Sequence, residues 1–266
     1  MNINEVYQIE DFYTKEYNED NRLELSHDRR HATEIAVKEH LLKKKIKSGD
    51  YVCEIGAGKG FWVGKLLDMG CYVKAYDLVQ DHVDAINKKY GHRTRFLGAE
   101  MFNIVEGTPK YKGTFDYVLL SGPIYHLKDT KDKIEAINNS KVLLTHPGIM
   151  YVDFLSPVNA ALEYLLTDRS GYNGVDTKLK PVEGNIFSYN TVDEMKYLCS
   201  KCKLISGAAY PLDGISRLLG DRLENMSEES WKEYLDFMME LVDRNYEYTE
   251  AMAELSEHNT LIVYTY

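Results

Sequence analysis

From about residue 50 onward, short apolar runs alternate with stretches whose apolar positions recur at helical spacing. YVCEI at 51–55 is the first run, and the helix-like GFWVGKLLDMG follows it. YVKAYD at 72–77 precedes LVQDHVDAINKKYG, and TRFLGA at 94–99 is a weaker third strand. FDYVLLS at 115–121 leads into the amphipathic KDTKDKIEAINNSKVLL, and GIMYVDFL at 148–155 is the fifth run. Such alternation predicts a parallel sheet with helices on both faces. Strands that are apolar nearly throughout are those covered on both sides.

After residue 156 the rhythm changes. AALEYLLTD reads as a helix and SGYNGVDTKLKPVEGN as a polar, glycine-containing stretch, so 157–190 is expected to be a lid or insertion. TVDEMKYLCSKC returns to helix, with Thr191 as N-cap and Glu194 in the capping-box position. KLISGAA is a candidate strand, MSEESWKEYLDFMMELVDRN an amphipathic helix opened by Ser227, and TLIVYTY a closing strand. A single domain is expected. It comprises an N-terminal helical arm over 1–48, a core over 49–156, the insertion, and the rest of the core over 191–266.

Charge narrows the function classes. The 266 residues include 32 basic and 42 acidic side chains, a formal net charge of −10. Nucleic-acid and anionic-membrane partners need a concentrated basic face, so neither is expected. Two basic clusters, LLKKKIK at 41–47 and NKKYGHRTR at 87–95, read as a solvated helix end and a turn. No stretch approaches the apolar length of a membrane span, and MNINEVYQIEDFY lacks the features of a signal peptide. Four cysteines do not make a disulfide framework in a chain this long; Cys53 and Cys71 read as small core residues. A cytoplasmic location is the expectation, and nothing in the pattern specifies an oligomeric state.

Two near-motifs carry no chemistry. Cys199 and Cys202 have CxxC spacing, but they fall late in a helix, and the other cysteines do not supply a second ligand pair. His27 and His31 are four apart like the histidines of a zinc hydrolase, yet Asp28 stands where the motif needs glutamate. No metal site is expected.

Glu54-Ile-Gly56-Ala57-Gly58-Lys-Gly60 joins the first strand to the first helix of the core. In open α/β sheets ligands bind outside the carboxyl ends of the strands, near the reversal of strand order. Glycines there let the backbone turn tightly and lie against a ligand. Asp77 ends the second strand, placed to accept hydrogen bonds from a ribose diol. A dinucleotide site asks for GxGxxG, whereas this chain has GxGxG followed by Phe61, and no P-loop GK[ST] is present. Glu54 would repel a pyrophosphate and suits a cationic ligand.

With EIGAGKG at 54–60, YD at 76–77, GAE at 98–100 and FDYVLLSGPIYHL at 115–127, the sequence resembles the class I S-adenosylmethionine-dependent methyltransferases. The last segment is similar to the FDxVLLLGPLYHL of a bacterial subgroup with a GPLYHL-like motif. FYTKEYNEDNRLELSHDR resembles that subgroup's N-terminal arm and SEHNTLIVYTY its closing strand. The resemblance implies a Rossmann-like, seven-stranded, mostly parallel sheet with an antiparallel last strand, an N-terminal helical arm, and an insertion after the fifth strand. It implies S-adenosylmethionine as cofactor and a small-molecule methyl acceptor, by in-line displacement at O, N or S. Gly56 and Gly58, with Ala57 and Gly60 in the same loop, would line the methionine part, and Glu54 would stand behind it. Asp77 would bind the ribose hydroxyls, Leu78 would flank the adenine, and Ala99 and Glu100 would contact it. Ser121 and Gly122 would lie beside the cofactor. Here the chain has GAEMF instead of the more usual G-D-A order.

Methyl transfer from a sulfonium needs alignment and exclusion of water, with a base only if the acceptor carries a proton. His126, after a Gly-Pro corner, is the candidate base, or else closes the pocket by packing. Tyr125 would shape the acceptor pocket or pack beneath the next helix. His27, Arg30 and His258 are candidate acceptor contacts, or a solvated helix start and a strand cap. Tyr164, Tyr172, Tyr189 and Tyr210 would suit an aromatic or polar acceptor, although 21 tyrosines also reflect plain composition. The alternatives are a methyltransferase acting on RNA or protein, a non-catalytic S-adenosylmethionine-binding regulatory protein, and an NAD-dependent oxidoreductase, the last disfavoured by Phe61.

Overall fold

A computed structural model describes residues 3–16, 28–166, 175, 185–244 and 246–266. Seven strands form one sheet: β1 (Tyr51–Ile55), β2 (Tyr72–Asp77), β3 (Phe96–Met101), β4 (Phe115–Leu120), β5 (Leu144–Leu155), β6 (Ile205–Pro211) and β7 (His258–Tyr264). Their order is β3-β2-β1-β4-β5-β7-β6. The first five run parallel, and β7 lies antiparallel to both β5 and β6. The chain direction therefore reverses its walk across the sheet between β1 and β4, the place where such sheets bind ligands.

The strands alternate in what they bury. Cys53 and Ile55 of β1 join Val118 and Leu120 of β4 in one core, while Val52 and Leu119 join the core on the other face. On that second face the helix Arg29–Lys45 buries Val37, Leu41 and Leu42, next to Met238 and Val242 of the helix Glu228–Arg244. Asp28 caps the first of these helices by accepting from the His31 N–H at 3.1 Å.

Several strand limits differ from those read in the sequence: β6 (Ile205–Pro211) and β7 (His258–Tyr264) are each offset by two residues, and β3 and β5 differ for local reasons. A turn takes up Tyr90 to Arg93, with the Arg93 N–H on the Tyr90 carbonyl at 2.8 Å, so β3 starts at Phe96 and continues to Met101. β5 begins at Leu144, which pairs with Phe115 before a register shift. The capping box at Thr191 and Glu194 is formed as the spacing predicts, and Ser227 accepts from the Ser230 N–H at 3.1 Å. Cys199 and Cys202 are buried, and burial pushes their thiols up to about 12 and about 11, which keeps both protonated. Among the described residues no helix is long and apolar enough to cross a membrane.

Candidate functional site

A cavity of about 190 Å³ opens at the carboxyl edge of the sheet. Its floor is the glycine loop after β1, and its sides are the ends of β2, β4 and β5 together with the start of β7. The helix Arg29–Lys45 and the single turn Phe12–Glu16 cover it. Of the residues singled out in the sequence, Glu54, Gly56, Ala57, Gly58, Asp77, Leu78, Ser121, Gly122, Tyr125, His126 and His258 line this one cavity.

The loop is built tightly. Gly56, Gly58 and Gly60 all have φ in the left-handed region, at 78°, 52° and 83°. The Gly56 and Ala57 N–H groups donate to the Tyr76 carbonyl, and the Gly58 N–H donates to Asp77 Oδ2 at 2.8 Å. Asp77 Oδ1 accepts from the Val79 N–H at 2.9 Å and lies 3.1 Å from His82 Nδ1. Asp77 thus fixes the loop across the β1–β2 end. Each carboxylate oxygen has two lone pairs, so Oδ2 retains capacity for a further donor. Gly60 is absent from the cavity wall. A Cβ there would meet Ile86 Cγ1 at 2.9 Å, so its place is helix packing.

Ala99 and Glu100 also stand outside the wall. The Asn87 amide brackets Ala99, accepting from its N–H at 2.9 Å and donating to its carbonyl at 3.0 Å. Glu100 accepts from Lys74 Nζ, which is buried beside the rings of Tyr76 and Tyr111. Because β3 runs on to Met101, the wall in this direction is made by Phe102, Asn103, Ile104 and Val105. His27 and Tyr172 lie outside the described residues, and Arg30 faces Asp28 at 3.9 Å.

His126 sits in an aromatic cage, with the rings of Tyr125, Phe187 and Tyr13 at 4.9, 5.2 and 5.4 Å. Its Nε2 is 2.8 Å from the Tyr13 hydroxyl. Burial lowers its pKa to about 4, and the Ile186 backbone and the Asp77 carboxylate offset this only in part. The ring is neutral at pH 7, so the tyrosine hydroxyl can donate to Nε2. Tyr13, which reading the sequence did not single out, holds the N-terminal turn against the Gly-Pro corner.

His258 has the opposite character. Burial disfavours its charge, but Glu34 at 3.9 Å, Asp213 at 3.3 Å and Glu257 at 3.8 Å raise its pKa to about 9. It is an imidazolium at pH 7. Its folded value lies above the ordinary 6.5, so its stabilisation is complete below about pH 6.5 and lost as the pH rises through about 9. The stability difference between the wild type and His258→Gln, measured by urea unfolding, is expected to shrink by about 1–3 kcal/mol between pH 6 and pH 9.5. A difference independent of pH would remove the charged role.

Five further wall residues, four of them on one helix, were not read as such from the sequence. His31, Glu34, Ile35 and Lys38 share one stripe of their helix and all face the cavity. Lys38 Nζ donates to Asp153 Oδ2 at 2.5 Å and to Ser121 Oγ at 3.1 Å, and sits 5.1 Å from the Trp62 ring centre. Asp153, near the end of β5, is buried, and its Oδ1 has no hydrogen-bond partner among the described residues.

No protein-family model matches the chain, and no curated protein sequence matches it. Solved structures are similar in fold. One is a chain of the Haloferax volcanii complex between the Trm112 methyltransferase activator and a protein described as a methyltransferase. It is 11% identical, with a TM-score of 0.59 and 96% of each chain covered. An S-adenosylmethionine-dependent methyltransferase from Mesorhizobium loti is 13% identical, with a TM-score of 0.55 over 86% of this chain and 98% of that one. A further S-adenosylmethionine-dependent methyltransferase, from Archaeoglobus fulgidus, is 11% identical, with a TM-score of 0.55 over 91% of this chain and 98% of that one. At these identities the likeness is one of fold: the chain has the Rossmann-like, seven-stranded sheet of S-adenosylmethionine-dependent methyltransferases.

Proposed function

We propose that this protein binds S-adenosylmethionine and transfers its methyl group to a small molecule at an O, N or S atom. The observation that carries this reading is the convergence of Glu54, the left-handed glycine loop, Asp77 and the Ser121–Pro123 corner on one cavity. The residues fit the cofactor's chemistry. Glu54 supplies buried negative charge for a cationic methionine part, Asp77 Oδ2 can accept from a ribose hydroxyl, and Leu78, Val79, Phe102, Ile104 and Val105 offer apolar walls for an adenine. The cofactor supplies an electrophilic methyl: the acceptor bonds to the methyl carbon, and the breaking carbon–sulfur bond leaves its electron pair on sulfur.

The protein's share is alignment and exclusion of water. His126 is neutral and bonded to Tyr13, so its role here is to close the wall and fix the arm; as a base it would have to act through the Tyr13 hydroxyl. A small acceptor fits a cavity covered by the Phe12–Glu16 turn and the Arg29–Lys45 helix, in a chain of net charge −10.

Calorimetry of the full chain with S-adenosylmethionine and S-adenosylhomocysteine tests the proposal. Binding of both is expected, and no heat with either from a folded sample would overturn it. Asp77→Asn should weaken S-adenosylhomocysteine about 10- to 100-fold, the size of one hydrogen bond to a charged group. Unchanged affinity would withdraw the ribose assignment.

A further inference from the structure

The acceptor's chemical class can be read from how the charges of the cavity wall are used. Among the described residues, Glu34, Glu54, Asp77 and Asp153 face the cavity, against Lys38 and the imidazolium of His258. Both cations are already engaged. Lys38 has three N–H donors, and it is held by Asp153 Oδ2, by Ser121 Oγ and against the Trp62 ring. His258 lies among Asp213, Glu34 and Glu257, and Glu257 is itself bonded to Arg217 at 2.8 Å. Among the described wall residues an incoming carboxylate or phosphate would find no unengaged cation to compensate it, and would meet Glu34 and Asp153 across a site of low dielectric.

Acceptor capacity, by contrast, remains. Asp153 is only 8% exposed, and its Oδ1 has no partner among the described residues. A buried polar atom left in this way is costly unless a ligand or water completes it. Glu34 stands one helical turn before Lys38, on the same stripe of the helix, and lines the same cavity with its Oε2 3.9 Å from His258 Nδ1. Glu54 and Asp77 stand on the cofactor side of the cavity, at the ends of β1 and β2. Glu34 and Asp153 stand on the opposite side, next to the corner at Ser121.

Resting on the proposed methyl transfer, we infer that the acceptor is a small amine, held by Asp153 Oδ1 and Glu34, and that methylation occurs at nitrogen. The amine arrives as the ammonium that the surplus of wall carboxylates selects. It gives up one proton to solvent water before attack, because only the neutral nitrogen has a lone pair. Attack forms the nitrogen–carbon bond, the carbon–sulfur bond breaks with its pair on sulfur, and Asp153 Oδ1 accepts a hydrogen bond from a remaining N–H. Asp153 is then a substrate-binding residue, and Lys38 is the positioning residue that fixes its carboxylate plane.

The test uses the full chain loaded with S-adenosylhomocysteine and ligand-observed NMR. The probes are matched pairs on one skeleton: ethanolamine and glycolate, phenethylamine and phenylacetate, tyramine and 4-hydroxyphenylacetate, histamine and imidazole-4-acetate. At least one amine is expected to bind about tenfold or more tighter than its carboxylate partner, and Glu34→Gln and Asp153→Asn should each reduce that preference. If Asp153→Asn does not fold, Glu34→Gln carries the comparison. No amine exceeding its carboxylate, or a preference unchanged in Glu34→Gln, overturns the inference while the cofactor reading stands. Failure of S-adenosylhomocysteine itself to bind overturns both.

Discussion

Replacing Gly56 with alanine is expected to remove about 2–5 kcal/mol of folding stability and to abolish S-adenosylhomocysteine binding. Two separate effects add at this position. An L-residue held at φ 78° is strained, by about 1–2 kcal/mol in general. The new Cβ would also lie 2.4 Å from the Ser121 carbonyl oxygen and 2.6 Å from Pro123 Cδ. Neither neighbour is the free end of a flexible side chain, so the loop or the corner must move, as in other overpacked sites, at a further cost of about 1–3 kcal/mol. Movement of either opens the cavity floor, because Gly56, Ser121 and Pro123 all line it. Gly49→Ala is the control. It shares the left-handed φ, at 96°, but a Cβ there meets nothing within 4 Å, so only the backbone strain should appear. Denaturant unfolding of both variants checks this, and equal losses at the two positions would refute the close-approach argument.

The same contact explains why the sequence LLSGPIYHL reads as it does. The strand ends at Leu120, and the next residues cross directly over Gly56, where only glycine leaves room for them. Gly122 takes φ 124°, Pro123 opens a short turn through His126, and Tyr125 and His126 are thereby delivered to the wall. Their direction was legible because the break in the apolar run is local. The aromatic cage around His126 was not legible, since it is made by Tyr13 and Phe187, which lie far from it in sequence on either side.

The alternation of runs and helices was sufficient for the parallel core, because its central strands β1, β2 and β4 are largely buried and their pattern depends on nothing remote. The glycine loop and Asp77 were legible for a similar reason: the Gly58 N–H meets Asp77 Oδ2 because the ends of neighbouring strands coincide. Ala99 and Glu100 show where this logic stops. The turn before β3 was legible at 87–95, but the strand's run past Ala99 to Met101, which moves the wall to Phe102–Val105, was not. Arg29–Lys45 shows a different limit. Its His31, Glu34 and Lys38 have the composition of a solvated face, and only the tertiary fold turns that face onto the cavity, opposite Asp153.

Lys38→Met should therefore have the second of the two largest effects, a loss of about 3–5 kcal/mol. The lysine is 3% exposed, and removing its charge leaves Asp153 buried without the cation that pairs with it among the described residues. The loss should exceed that of an exposed pair such as Lys43 and Glu39, whose contribution lies near 0–1 kcal/mol. The double variant Lys38→Met, Asp153→Leu should recover most of the stability, because replacing both members of a buried pair by apolar groups removes the desolvation of two charges together. Stability and function should then separate. The recovered double variant is expected to fold and bind S-adenosylhomocysteine, since neither residue stands on the cofactor side. It should nevertheless show a weaker preference for an amine over its matched carboxylate, because the acceptor carboxylate at β5 is gone while Glu34 remains. Urea unfolding of the single and double variants measures the first half, and the NMR pairs measure the second. A mild single variant or an unrescued double variant would mean that the Lys38–Asp153 contact is not the buried ion pair described. A double variant with an intact amine preference would place recognition on Glu34 alone.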